Sequence, residues 1–276
     1  MLHRKLITPA ALMLWLLAWL AAAPALAQEA LLPAWQTLGP KLEFALWENL
    51  VPSRSGSSLV ALLRVDPSRY SFKVLAAPKG EEGYTAGQWL EQSGALAVFN
   101  AGLYTPEGRH LGYLLQNGKE LSPLLPQQDG LFLAGPRERE LPAVRILDLR
   151  YTPFDPRLNP YRQAAQSLML LDRFGMIRVR RSPKVANRTA LAIDEKGRIL
   201  VVVTEGGHTL WELAQALKNS GLALREVMTM DGGAESQLAV AVGEFTYEHY
   251  GRTSPAPDLP WTRQALPAVL AVFNKK

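Results

Sequence analysis

The sequence predicts a mixed α/β (α+β) fold: a single domain with one large mixed β-sheet and a few helices. Three observations predict it. Short apolar runs bounded by Gly, Pro, Asn, Asp and Ser recur along the chain, as strands separated by turns do. Few stretches carry a helix start signal followed by an apolar stripe. Residues 198–238 read as strand, capped helix, strand and acidic turn, a strand-helix-strand unit on which the rest is organised.

In chain order, His3, Arg4 and Lys5 precede an apolar run over residues 12–23 and the small-residue site Ala25-Leu26-Ala27. This marks residues 1–27 as a secretory signal peptide, because the run is short for a membrane span. An uncleaved anchor is the other reading. The mature chain is expected to be exported, periplasmic or secreted, with no membrane span once the signal is removed. Residues 28–41 read as an irregular lead-in and residues 42–276 as the domain.

Residues 42–47, 59–65 and 70–77 read as strands, with serine-rich residues 53–58 as a loop and Asp66-Pro67 as a turn. Thr85 caps a short helix over residues 85–92, with Gln88 at the capping-box position and Gly94 at its end. Residues 95–99 form an apolar strand that delivers Asn100 to a turn eased by Gly102. Residues 111–115 and 119–125 flank Asn117-Gly118, a two-residue hairpin signal. Prolines break the pattern between residues 126 and 162, leaving residues 144–149 as a strand. Residues 166–171 are another strand, and residues 189–194 pair with 199–203 across Glu195-Lys196-Gly197.

The central unit begins with residues 198–204, a β-branched run whose apolar continuity marks a strand buried on both faces. Thr209 and Glu212 make a capping box. Leu210, Leu213, Ala214 and Leu217 form one stripe, and Gly221 stands where a left-handed cap would end the helix. Residues 227–230 then deliver Asp231-Gly232-Gly233 to the C-terminal end of a strand, where ligands of βαβ units gather. Residues 238–242 are a strand, 247–260 a loop with three prolines, and 268–273 a strand that closes the sheet.

The formal net charge is +5, and the signal peptide removes Arg4 and Lys5 but no acid. The remaining mild excess is spread along the chain, so nucleic acid is not expected as a partner, whereas an anionic substrate suits it. Zero cysteines exclude a disulfide framework, a thiolate metal site and a cysteine nucleophile. The three mature histidines show no metal-ligand spacing, no D-x-D-x-D-G loop supports calcium at the acidic turn, and no nucleotide fingerprint is present. No cofactor and no histidine-based metal site is therefore expected, while an oxygen-ligated cation such as calcium at the acidic turn is left open. Oligomeric state is left open.

Four motifs stand in order: Asn100-Ala101-Gly102-Leu103-Tyr104, Arg188 before a strand, Gly207-His208-Thr209-Leu210-Trp211-Glu212-Leu213-Ala214, and Asp231-Gly232-Gly233 with Ser236 nearby. Together they resemble the phosphodiester glycosidase domains of bacteria and animals, over roughly residues 42–274. Those domains show N-A-G-M-Y or N-G-G-F-F, an arginine before a strand, G-x-T-L-x-E-L-A, and D-G-G with a serine. The segment at residues 130–135 only partly echoes the family's N-F-x-L-x-P-N-G, and the glycine and proline expected near Gln166 are missing.

The resemblance implies hydrolysis of a sugar 1-phosphodiester or a related cell-envelope glycan linkage, with a sugar phosphate or polysaccharide as substrate. Arg188 would clamp the phosphate, since a guanidinium presents paired donors. Asp231 would be the carboxylate, and Glu205, at the end of the neighbouring strand, its preferred partner over Glu235. Asn100 would orient substrate at the mouth of the site. Gly102, Thr209, Gly232, Gly233 and Ser236 complete the expected binding set. Residue chemistry alone offers plainer roles: a turn asparagine, a strand-end arginine, a helix cap at Thr209 with Glu212, and an Asp-Gly-Gly turn. Beside its helix start, His208 reads as an exposed loop residue. An exported glycan-binding protein that keeps the fold without the chemistry is the alternative, and a structural envelope protein with no small ligand a third.

Overall fold

Among the described residues, alternation of apolar and polar residues resolves into two large antiparallel sheets and a small two-stranded one, not one mixed sheet. They are seen in a computed structural model that describes residues 32–48, 50–105, 107–252 and 263–275. The expected signal peptide lies outside the described residues, as do residues 253–260. No helix among the described residues is long and apolar enough to cross a membrane.

The lead-in is not wholly irregular. Gln36–Gly39 is a strand, β1, that pairs with Leu42–Glu48, β2, which in turn pairs with Leu59–Val65, β3. Tyr70–Ala76 is β4, and Ala86–Ser93 is α1, closed by the Thr85–Gln88 capping box and by Gly94 in the left-handed conformation. Ala97–Asn100 is β5, followed by the short pair β6, Leu103–Tyr104, and β7, His110–Leu111. β8, Leu114–Gln116, and β9, Lys119–Ser122, meet at Asn117-Gly118, whose positive φ values of 53° and 84° fit a type I′ turn.

Gly130–Pro136 forms β10, a strand hidden in the sequence by its terminal Gly and Pro, and Val144–Asp148 is β11. β12 runs from Tyr161 to Leu171, longer than its apolar core indicates. Thr189–Asp194 is β13, Ile199–Thr204 is β14, Leu210–Lys218 is α2 and Leu224–Thr229 is β15. α2 stops at Asn219, not at Gly221, although Gly221 does hold a positive φ in the turn beyond. Gln237–Val242 is β16. The expected 247–260 loop is partly strand, since Phe245–Tyr250 is β17 and pairs along its whole length with β16. Ala268–Asn274 is β18, an interior strand of the second sheet.

The first sheet runs β1-β2-β3-β14-β13-β15-β12-β10-β11, with β8 and β9 attached to β12, and the second runs β17-β16-β5-β18-β4. β14 and β15 both run antiparallel to β13, so they are parallel to each other with β13 between them. One large core fills the space between the sheets, drawing Phe44, Leu63 and Leu191 from the first and Phe72, Phe99 and Leu270 from the second. α2 covers the outer face of the first sheet through Leu213, Ala214 and Leu217, which meet Val202, Ala190 and Val227. α1 covers the outer face of the second through Trp89 and Leu90 against Val98 and Ala239. The layers are therefore helix, sheet, sheet, helix. Each leucine of α2 that leaves water contributes about 1.5–3 kcal/mol, and this burial fixes which face of the helix lies on the sheet.

Candidate functional site

The site forms where β15 ends and the chain parts from β12. Met230 still donates to Thr189 O (2.8 Å), but the Asp231 amide turns to Gly102 O (2.7 Å). The 100–104 turn then wraps the acid. Tyr104 N donates to Asp231 Oδ2 (3.0 Å), Gly232 N donates to Oδ1 (2.9 Å), and Asn100 Nδ2 donates to the Asp231 carbonyl (3.0 Å). Asn100 is thus not at the mouth of the site. It is fully buried, and its amide holds the backbone of Asp231 from beneath. Gly102 has φ 122°, and a Cβ there would lie 2.6 Å from His110 Nε2 and 2.9 Å from Gln166 O, so only glycine permits this approach.

Burial pushes the Asp231 carboxyl above the usual carboxylate range. The two N–H donors and the charges of Lys184 and Arg188 pull the other way and do not overcome it. Glu235 is also pushed up, by burial and by the charge of Asp231. The carboxylate that feels Asp231 is therefore Glu235, in the one-turn 3-10 segment after the glycines, and not Glu205. Glu205 accepts from Tyr247 Oη (2.9 Å) and lines a separate cavity of about 210 Å³ with Asn187, His249 and Arg252. Arg188 and Asp231 do not line that cavity.

Arg188 enters β13 with only 6% exposure. Its Nε donates to His208 O (2.8 Å), one Nη to Lys184 O (2.6 Å), and its backbone N–H to Thr204 Oγ1 (2.9 Å). The other Nη makes no hydrogen bond among the described residues. A Cβ on Gly232 would lie 3.1 Å from that nitrogen and 2.5 Å from Asn187 O, so glycine keeps the two segments in contact. Burial lowers the guanidinium pKa and Asp231 raises it, yet the two side chains make no direct ion pair. Exposed Lys184 adds a second cation to the charge around Asp231 and Glu235.

The remaining expected residues are structural in position. The Thr209 hydroxyl donates to Glu212 Oε2 (2.8 Å) and accepts from Glu212 N (3.2 Å), and Arg54 binds the same glutamate. The helix start is thereby closed by its own carboxylate, which occupies the Thr209 hydroxyl. Ser236 is fully buried against Thr189 Oγ1 (2.9 Å), and Gly233 N donates to Asn187 O (3.0 Å). His208 is fully buried, not exposed, and burial pushes its pKa down.

Asn187, the residue before Arg188, joins the site without belonging to the expected set. Its Nδ2 bonds the carbonyls of Thr204 (3.2 Å) and Glu205 (2.9 Å), and its Oδ1 accepts from Arg252 N (2.9 Å). It ties the arginine, the glycine loop and the end of β17 together. Its place beside Arg188 was the available signal. Lys184 carried no signal, because its role depends on contacts distant in sequence, whereas Tyr104 closes the 100–104 motif. No group of three or more His, Cys, Asp or Glu among the described residues is placed to hold a metal ion.

Residues 93–273 match the model of the phosphodiester glycosidase family. No curated protein matches the sequence. Among solved structures, the fold is similar to the zebrafish N-acetylglucosamine-1-phosphodiester alpha-N-acetylglucosaminidase catalytic domain, auto-inhibited by its pro-peptide. That match has TM-score 0.62 and 17% identity, covering 87% of this chain and 86% of that one. A hypothetical protein from Synechocystis matches with TM-score 0.53 and 14% identity, over 85% of this chain and 62% of that one. A Burkholderia pseudomallei K96243 protein named as exported matches with TM-score 0.51 and 12% identity, over 79% and 75%.

Proposed function

Because the chain belongs to the phosphodiester glycosidase family, a family of glycosidase-type hydrolases, we propose that it cleaves a sugar 1-phosphodiester or a related cell-envelope glycan linkage. The observation that carries this is the convergence of a half-buried carboxyl, Asp231, and a buried guanidinium, Arg188, which packs against the adjoining Gly232 without a direct ion pair to Asp231. The leaving group of such a reaction is a phosphate ester, already stable as an anion, so a strong general acid is less needed than in ordinary glycoside cleavage. Arg188 and Lys184 supply positive charge to bind it. Asp231 acts at the anomeric carbon as nucleophile or as base for water, and Glu235 is the second carboxylate that such chemistry requires. The signal-like residues 1–27 support action outside the cytoplasm.

Purified mature protein incubated with a panel of sugar 1-phosphodiesters should release free sugar. Asp231→Asn should lower kcat by about a thousandfold, within the range expected for losing an acid–base group. Release from none of the panel, or undiminished release by Asp231→Asn, would contradict the proposal. Binding without turnover by the wild-type protein would establish a glycan-binding protein in its place.

A further inference from the structure

A cavity on the α2 side of the first sheet has no part in the chemistry above. It measures about 740 Å³ and is bordered by the 124–129 and 149–154 segments, Leu168 of β12, residues 178–180 and Leu210 of α2. Two contacts join it to the candidate site. Leu168 is the register partner of Thr229, and Asp231 stands two residues further along, about 7 Å of extended chain. Leu210 follows His208-Thr209, and it is the His208 carbonyl that holds Arg188 Nε. The cavity therefore runs up to the segments that position both charged groups.

Its chemistry is mixed in a particular way. Leu168 and Phe154 give it apolar surface, and exposed Arg150 and Arg180 give it positive charge. Exposed Gln127 adds an amide to the lining, whereas Gln128 is only 6% exposed and its Oε1 is enclosed against Gly112, where a Cβ would lie 2.4 Å away. Arg178 braces the wall by bonding Asp129 (2.7 Å) and Asp148. Beyond the Arg150 side, the exposed rings of Tyr151 and Phe174 stand edge to face at 5.7 Å, with Arg173 over Phe174. Apolar floors and aromatic faces suit the C–H faces of pyranose rings, amides suit hydroxyls, and guanidinium groups suit phosphates.

We propose that this cavity is a second subsite, which takes the neighbouring units of an oligosaccharide whose sugars are joined through phosphodiesters. It rests on the hydrolase reading above and extends it: the substrate is a polymer, not a single capped sugar. The test compares N-acetylglucosamine 1-(methyl phosphate) with a short oligomer of N-acetylglucosamine 1-phosphate. Both are titrated calorimetrically into mature Asp231→Asn protein. The oligomer should bind about tenfold more tightly than the monomer, and adding Arg150→Ala with Arg180→Ala should erase that difference while thermal melting shows the fold intact. Equal affinities, binding of neither, or a difference that survives the two added substitutions would overturn the subsite. With active protein, the ratio of oligomer to monomer kcat/KM should fall about tenfold in the Arg150→Ala, Arg180→Ala variant. Monomer hydrolysis without oligomer preference sinks the subsite and leaves the hydrolase. Oligomer preference in binding with hydrolysis unaffected by Asp231→Asn sinks the hydrolase assignment and leaves the subsite.

Discussion

Asp231 carries its proton to higher pH than an ordinary aspartate because burial outweighs two N–H donors and two nearby cations. If the carboxylate form is the reactive one, the acid limb of kcat/KM against pH reports that raised pKa. Lys184 lowers it, so Lys184→Met should move the acid limb to higher pH; a limb that stays in place would remove Lys184 from the site. Gly232→Ala should destabilise the fold by about 1–3 kcal/mol in urea denaturation, since the new Cβ meets the Asn187 carbonyl. At this scale the sequence allowed Asp231 and Arg188 to be singled out, because both stand at strand ends in recognisable motifs. Glu205 was misplaced for a physical reason. Val203 packs between the sheets while Val202 and Ala190 pack under α2. Strand alternation then sends Glu205 toward the inter-sheet side and Arg188 toward the other.

At the scale of elements, the helix starts were readable because a capping box is local: both Thr85 with Gln88 and Thr209 with Glu212 close as their spacing indicates. That same closure occupies the hydroxyl of Thr209. Thr209→Ala should therefore cost about 1 kcal/mol of stability, seen as a lower urea midpoint, with kcat per folded molecule retained; a specific loss of kcat would return Thr209 to the binding set. Strand order was not readable, since the insertion of β13 between β14 and β15 depends on pairing between distant segments. β17 could have been recognised. Phe245 and Tyr247 face Phe44 while Thr246 and Glu248 face solvent, a period-two pattern that the following prolines obscured.

Across the whole molecule, two sheets closed by helices bury His208 and His249 and half-bury His110. Burial pushes His110 and His249 each down to about 4 from the usual 6.5, and pushes His208 down as well. A histidine with a depressed folded pKa gives stability that is present above 6.5 and is lost as pH falls toward 4. Asp231 and Glu235, with raised pKa values, act oppositely: their protonation favours the folded state as pH falls through those values. The urea midpoint should therefore fall between pH 7 and pH 5, and His249→Gln should flatten that fall; an unchanged slope would show that His249 is not buried neutral.

The reaction itself turns on which bond breaks. Hydrolysis of the sugar 1-phosphodiester panel in water labelled with oxygen-18 settles this by mass spectrometry of the products. Attack at the anomeric carbon predicts the label in the released sugar. Label in the phosphate, or no hydrolysis of any member, would contradict the account.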